Sequence, residues 1–184
     1  MNNESLDWQT PPEWRVAQWL NTDTPLGLQA LRGQVVMLHA FQMLCPGCVQ
    51  HALPQAAAVH QALSAHGVVV IGLHSVFEHH AVMTVPALQV FMHEYRIRYP
   101  VAVDAPGIGD DTLPLTMRDY GLQGTPSLLL FDRQGRLRVH EFGQVHDLVL
   151  GLHLGQLLAE PPVHGQGAEP DAHRAGLGDA TGQR

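Results

Sequence analysis

The sequence predicts an α/β fold, a parallel or mixed β-sheet flanked by helices. Three observations predict it. Residues 35–41 (VVMLHAF) and 68–73 (VVVIGL) are strand-length runs rich in apolar, β-branched residues, as suits strands buried on both faces. Each is followed by a stretch of helical composition or spacing, and alternating strands and helices build a sheet with helices packed on it. The third observation is a strand–turn–strand pattern near the end, where two short apolar runs flank Asp132-Arg133-Gln134-Gly135.

In chain order, residues 1–13 are polar with two prolines and predict a mobile arm. Residues 14–20 have the apolar and aromatic character of a short strand. The turn signals from Asn21 to Gly27 then make an N-terminal hairpin the expected extension. Leu28, Leu31 and Gly33 form a short apolar-spaced turn into the central strand, and Trp8, Trp14 and Trp19 are expected to pack at the domain edge. After the central strand a helix is predicted from Pro46 to about residue 65, kinked near Pro54 and closed by Gly67. An inserted amphipathic helix follows over 84–99, with Leu88, Phe91, Met92 and Tyr95 at helical spacing, ended by Pro100.

Residues 101–103 read as a short strand and 104–115 as a loop. Asp110-Asp111 in that loop lacks the spacing of an EF-hand and reads as solvated. Residues 127–131 form a strand, 132–135 a hairpin turn and 136–142 an alternating edge strand. Residues 145–159 close the domain as an amphipathic helix, with Leu148, Val149, Leu152 and Leu157 expected inward. From Pro161 the composition collapses to Gly, Pro, Ala, His and Asp, which predicts a disordered tail over 161–184 after a domain spanning 14–160.

Composition removes several function classes. The 184 residues suffice for one domain with a substantial core. A net charge of -7, with no cluster among the ten basic residues (all Arg), excludes a general nucleic-acid binder. No apolar run approaches a membrane span, and the first fifteen residues lack the charged and apolar regions of a secretion signal. With Met1 as the native start, the expected location is cytoplasmic, where thiols rest reduced and a reductase role is favoured.

The chemistry centres on Cys45-Pro46-Gly47-Cys48, delivered from the end of a buried strand into the first turn of a helix. Proline suits the first helical position, which puts Cys45 at the N-cap, where backbone N–H groups and the helix dipole favour a thiolate. Cys48 lies one turn in, placed to attack a mixed disulfide on Cys45. The pair therefore fits dithiol–disulfide exchange, with Cys45 as nucleophile and Cys48 as resolving thiol. A zinc site would need four ligands; His51 could be a third, but the chain has no other Cys. A purely structural disulfide across two residues would restrain little of the unfolded chain. Resolution requires Cys48 to lose a proton, so a base is expected nearby, with His51 and His39 as candidates.

The order of elements and four motifs resemble the thioredoxin superfamily, in its TlpA/ResA-like branch, over about residues 14–159. The motifs are Leu28-x-x-Leu31-x-Gly33; Cys45-Pro46-Gly47-Cys48; Tyr99-Pro-Val-Ala-Val-Asp104; and Tyr120-Gly-Leu-Gln-Gly-Thr125-Pro126 before Leu-Leu-Leu-Phe131-Asp-Arg-Gln-Gly135. The resemblance implies a thioredoxin-like mixed sheet of four or five strands with a central helical insertion. It implies a cis peptide before Pro126 facing the Cys pair, with Thr125, Pro126, Pro46 and Gly47 contacting a disulfide-bearing protein substrate. The leading reading is a thiol-disulfide oxidoreductase regenerated by an unidentified thiol reductant, with neither cofactor nor metal expected. His39 stands where the branch has a buried acidic or amide residue. A buried neutral histidine could accept a proton, so His39 is the expected main base and His51 the second.

The chain departs from the branch at Phe41, Leu44, His51 and Pro54, and in its Pro-Gly dipeptide. Phe41-x-x-x-Cys45-Pro46 is also superficially similar to a peroxiredoxin site, although Gln42 stands where that site has Thr. A non-enzymatic metal-binding or interaction module built on Cys45, Cys48 and His51 is the third reading. The one dense histidine patch, His79-His80 beside Glu78, reads as a surface loop.

Overall fold

The structure, a computed structural model, describes residues 7–109 and 112–161. The first six residues of the expected arm, the Asp110-Asp111 loop and the tail beyond Pro161 lie outside the described residues. Among those described, six strands form one sheet: β1 (Val16–Leu20), β2 (Val35–Phe41), β3 (Val68–His74), β4 (Val101–Asp104), β5 (Ser127–Phe131) and β6 (Leu137–Phe142). The order across the sheet is β1-β4-β3-β2-β5-β6. β2 runs parallel to β3 and antiparallel to β5, so the sheet is mixed. The helices are α1 (Leu53–Leu63), α2 (Val85–Glu94), α3 (Leu115–Asp119) and α4 (Asp147–Ala159).

β2 is buried at every position because both faces of the sheet are covered. Its alternation divides the interior in two. Val35, Met37 and Phe41 point into a core with Leu53 of α1, Leu88 and Met92 of α2, and Leu150 and Leu154 of α4. Val36, Leu38 and Ala40 point the other way, against Trp14, Leu28, Leu31, Met117 and Tyr120. Each fully buried Val, Leu or Phe of this strand contributes about 1.5–3 kcal/mol of transfer free energy.

The expected N-terminal hairpin is not formed. β1 pairs antiparallel with β4 and extends the sheet at its far edge. Asn21, in the left-handed region at φ 56°, donates its side-chain amide to the Ile97 and Tyr99 carbonyls, tying the end of β1 to the approach to β4. The turn signals after β1 lead instead into the packed Leu28 and Leu31 turn. Residues 7–13 lie along the domain: the Trp8 carbonyl accepts from Leu137 N–H, and Glu13 accepts from the N–H groups of Leu28 and Gln29.

Two helix ends also differ from expectation. α2 stops five residues before Tyr99, in a Schellman turn with Arg96 at φ 53°, where glycine is usual. Ile97 N–H reaches the Met92 carbonyl, and the two buried side chains complete the turn. α3, not anticipated, begins where the buried Asp104 accepts the N–H groups of Thr116 and Met117 at 2.8 and 3.0 Å.

The buried face of α4 is a further correction. Leu148, Val149 and Leu152, expected inward, are 80%, 46% and 60% exposed, whereas Leu150, Leu154 and Leu157 are nearly inaccessible. Leucine occupies both sides of this helix, so apolar spacing could not select one. Its ends select it instead. Gln55 of α1 donates to the Val145 carbonyl and Asp147, and Arg133 donates to the carbonyls of Leu157, Leu158 and Glu160. Leu154→Ala is expected to destabilise by about 2–5 kcal/mol in denaturant unfolding, and Leu152→Ala to stay within about 0.5 kcal/mol. The reverse ranking would restore the other face.

Candidate active site

The chain leaves the C-terminal end of β2 and turns at Gln42, whose carbonyl accepts the Cys45 N–H at 3.2 Å. Helical geometry starts at residue 46, with the Val49 N–H donating to the Cys45 carbonyl. Cys45 is thus the cap and Pro46 the first helical residue, where its missing N–H costs nothing. The Cys48 N–H, otherwise without a helical partner, donates to Cys45 Sγ at 3.2 Å. The first turn continues through a π-helical segment, Cys48–Ala52, in which Leu53 N–H reaches five residues back to the Cys48 carbonyl. Pro54 follows directly, and this wider turn is how the helix accommodates a residue that cannot donate.

The two thiols occupy unlike surroundings. Cys48 is fully buried, while Cys45 is half-buried. Cys48 Sγ donates to Cys45 Sγ at 2.6 Å, and Cys45 Sγ donates to the Thr125 carbonyl at 3.3 Å. The Cys48 thiol is pushed up to about 12, first by burial and then by its bond to Cys45; bonds from the Gln42 backbone and the Thr125 side chain offset part of that rise. The Thr125–Pro126 peptide is cis. Pro126 packs close to Gly47: a Cβ there would lie 3.3 Å from Pro126 Cδ, so a side chain at 47 would need Pro126 to give by a few tenths of an ångström. Leu44, next to Cys45 in the chain, is exposed, and so is Phe142, which packs on Gly124 just before Thr125.

The structure therefore brings Cys45, Cys48, Gly47, Thr125 and Pro126 together. It does not bring His39 into contact with either sulfur. The His39 ring is buried against Phe41 and Tyr99, and neither ring nitrogen has a hydrogen-bond partner. Burial lowers His39 to about 3, leaving it neutral and a weak store for a proton. His51 is exposed, and it shares with His39 and Pro126 the lining of a small cavity of about 10 Å³. Among the described residues no three His, Cys, Asp or Glu side chains gather as a metal site, and no helix is long and apolar enough to cross a membrane. Sequence reasoning weighed Gln42 only against a peroxidase threonine and gave Phe142 no role at the site. Gln42 carries a signal in hindsight, as an amide immediately after a buried strand.

A family model for the AhpC/TSA family matches residues 9–140. The structure of a thiol-disulfide isomerase from Corynebacterium glutamicum is 52% identical with a TM-score of 0.78, covering 88% of this chain and 100% of that one. A thioredoxin-like superfamily protein is 51% identical with a TM-score of 0.79, covering 83% of this chain and 97% of that one. NHL repeat-containing protein 2 of Gallus gallus is 31% identical over 149 residues, 79% of this chain; the chain spans 19% of that relative's length. Fold, dithiol and relatives together define a thiol-disulfide oxidoreductase of the thioredoxin superfamily. Within it, the chain belongs to the AhpC/TSA family.

Two buried histidines give the domain a pH dependence of known sign. Burial lowers His39 to about 3 and His74 to about 4. Below about pH 6.5 the unfolded chain binds protons that the folded state refuses, so stability falls as pH falls, by about 1.4 kcal/mol per pH unit for each histidine. Above that pH neither contributes a slope. Denaturant unfolding between pH 7.5 and 4.5 should show this loss, with a shallower slope in His39→Leu. An identical slope in that variant would remove His39 as a cause.

Proposed function

We propose that this enzyme reduces disulfides in protein substrates, and the carrying observation is the inequality of its two thiols. Cys45, half-buried at the helix start, attacks one sulfur of the substrate disulfide as a thiolate. The other substrate sulfur leaves as a thiolate, and a mixed disulfide remains on Cys45. Cys48, enclosed at hydrogen-bond distance, loses its proton and attacks Cys45 Sγ. The Cys45–Cys48 bond forms, the bond to substrate breaks, and a thiol reductant returns the pair to the dithiol.

Several features support a protein as substrate. Leu44 beside Cys45 and Phe142 beside Gly124, 58% and 53% exposed, offer apolar surface to a substrate chain. Pro46, Gly47, Thr125 and Pro126 form the rim in this proposal, and the Thr125 backbone pairs with an extended substrate segment. The reductase direction suits a reducing compartment, the cytoplasm being the one the sequence suggests. The peroxidase alternative gains nothing at Gln42, which is buried and donates to the Ser75 carbonyl instead of presenting a hydroxyl.

His39 and His51 enter the proposal as the two candidate bases for Cys48, His39 first and His51 second. His39 is buried and neutral and holds a proton too weakly to store it, and neither of its ring nitrogens is bonded to a sulfur. His51 is exposed on the turn after Cys48, open to solvent.

Cys48→Ser is expected to trap substrate as a stable mixed disulfide on Cys45, while Cys45→Ser traps nothing and abolishes turnover of a model protein disulfide. Absence of a trapped adduct together with rapid peroxide consumption would replace this reading by the peroxidase one. Below about pH 7, His39→Ala should slow resolution of the mixed disulfide and spare the first attack, with a smaller effect from His51→Ala. Unchanged resolution in folded His39→Ala removes it from the proton path, and a larger loss in His51→Ala transfers the role there.

A further inference from the structure

Gln42 is buried between the end of β2 and the cysteines, and its contacts run in both directions. Its side-chain Nε2 donates to the Ser75 carbonyl at 2.9 Å. Its own carbonyl accepts the Cys45 N–H at 3.2 Å, and its backbone offsets part of the rise that burial imposes on the Cys48 thiol. One residue is thereby fixed at two points, the side chain on the end of β3 and the backbone on Cys45.

The Ser75 anchor is itself immobilised. Its N–H donates to the Phe41 carbonyl at 3.2 Å, and its hydroxyl donates to Asp104 Oδ2 at 2.9 Å. Asp104 is also occupied by the N–H groups that open α3. A continuous buried chain, Asp104–Ser75–Gln42, therefore joins the ends of three adjacent strands to the active-site turn. A buried amide costs desolvation that an apolar side chain of similar size avoids, so its value lies in the bond it makes.

We infer that Gln42 is a positioning residue for the resolving step: latched to the Ser75 carbonyl, it aims its backbone at the charge that develops on Cys48 Sγ and sets Cys45 opposite it. In that step the Cys48 thiolate attacks Cys45 Sγ, the Cys45–Cys48 bond forms, and the substrate sulfur departs with the electron pair of the broken bond. The inference rests on the roles given above to Cys45 and Cys48. The latch acts on this second step because only there does negative charge build at Cys48.

The test separates the two steps. A glutathione mixed disulfide is formed on Cys45, and the release of glutathione is followed after a pH jump; alkylation of Cys45 in the reduced protein is followed separately. Gln42→Met keeps the size and removes the donor. It is expected to slow release about tenfold or more, to change Cys45 alkylation by less than about twofold, and to retain the wild-type melting temperature within a few degrees. Ser75→Ala keeps the carbonyl that Gln42 uses and should slow release by no more than about threefold. Should Gln42→Met fail to fold, Gln42→Ala removes the same donor without the added thioether and is read by the same criteria.

Release at the wild-type rate in a folded Gln42 variant overturns the inference. So does a parallel fall of release, alkylation and melting temperature, which marks a merely structural residue. A greater loss in Ser75→Ala than in Gln42→Met also overturns it, by shifting the role to the hydroxyl. Wild-type protein that never releases glutathione defeats the oxidoreductase roles themselves, a result distinct from any difference among the variants.

Discussion

A helix that starts where a fully buried strand stops leaves backbone N–H groups with no partner in the chain before it. Here one of them, at Cys48, is met by the sulfur of Cys45. A thiolate accepts such a bond better than a thiol does, so the requirement to begin the helix and the chemistry of the sulfur pull the same way. β2 fixes where the turn occurs, because its seven buried residues cannot slide without exchanging the two halves of the core. Proline at the first helical position and the wide turn before Pro54 then let the helix proceed from that fixed point.

Depth separates the two sulfurs. Cys48 belongs to the core that also holds Met37, Phe41 and Leu53, whereas Cys45 lies at that core's margin beside Thr125 and exposed Leu44. Three chain segments meet at this margin: the end of β2, the loop before β5 and the end of β6. Distant pieces of sequence thereby supply the donor, the acceptor and the apolar rim of a single site.

Local patterns were legible in the sequence. The run VVMLHAF, the Cys-Pro-Gly-Cys junction and the Asp132–Gly135 turn each carry their structural instruction within a few residues, and β2, the helix start and the turn closed by Gly135 appear accordingly. What escaped reading depended on distant partners. α3 is capped by Asp104, eleven residues before its first residue, so no local cap signal exists. β1 follows turn residues like those of a hairpin, but Asn21 commits it to β4 through carbonyls of residues 97 and 99. α4 has leucine on two sides, and bonds from the distant Gln55 and Arg133 help fix which goes in. At the site, the cysteines could be read from spacing. The weakness of His39 as a proton store could not, because it follows from three-dimensional enclosure by Phe41 and Tyr99.

One edge of the sheet belongs to β6, whose unpaired backbone groups are a template on which a foreign strand could grow. The segment at Trp8 lies on it: the Trp8 carbonyl takes the Leu137 N–H, and the indole stacks on His140. This short stretch of chain works as a selvedge, finishing the sheet so that it does not ravel into a neighbour's. In the function proposed above, substrate reaches Cys45 as extended chain. Blunting the β6 border steers such chain away from sheet extension there and leaves the sulfur as the point of attachment.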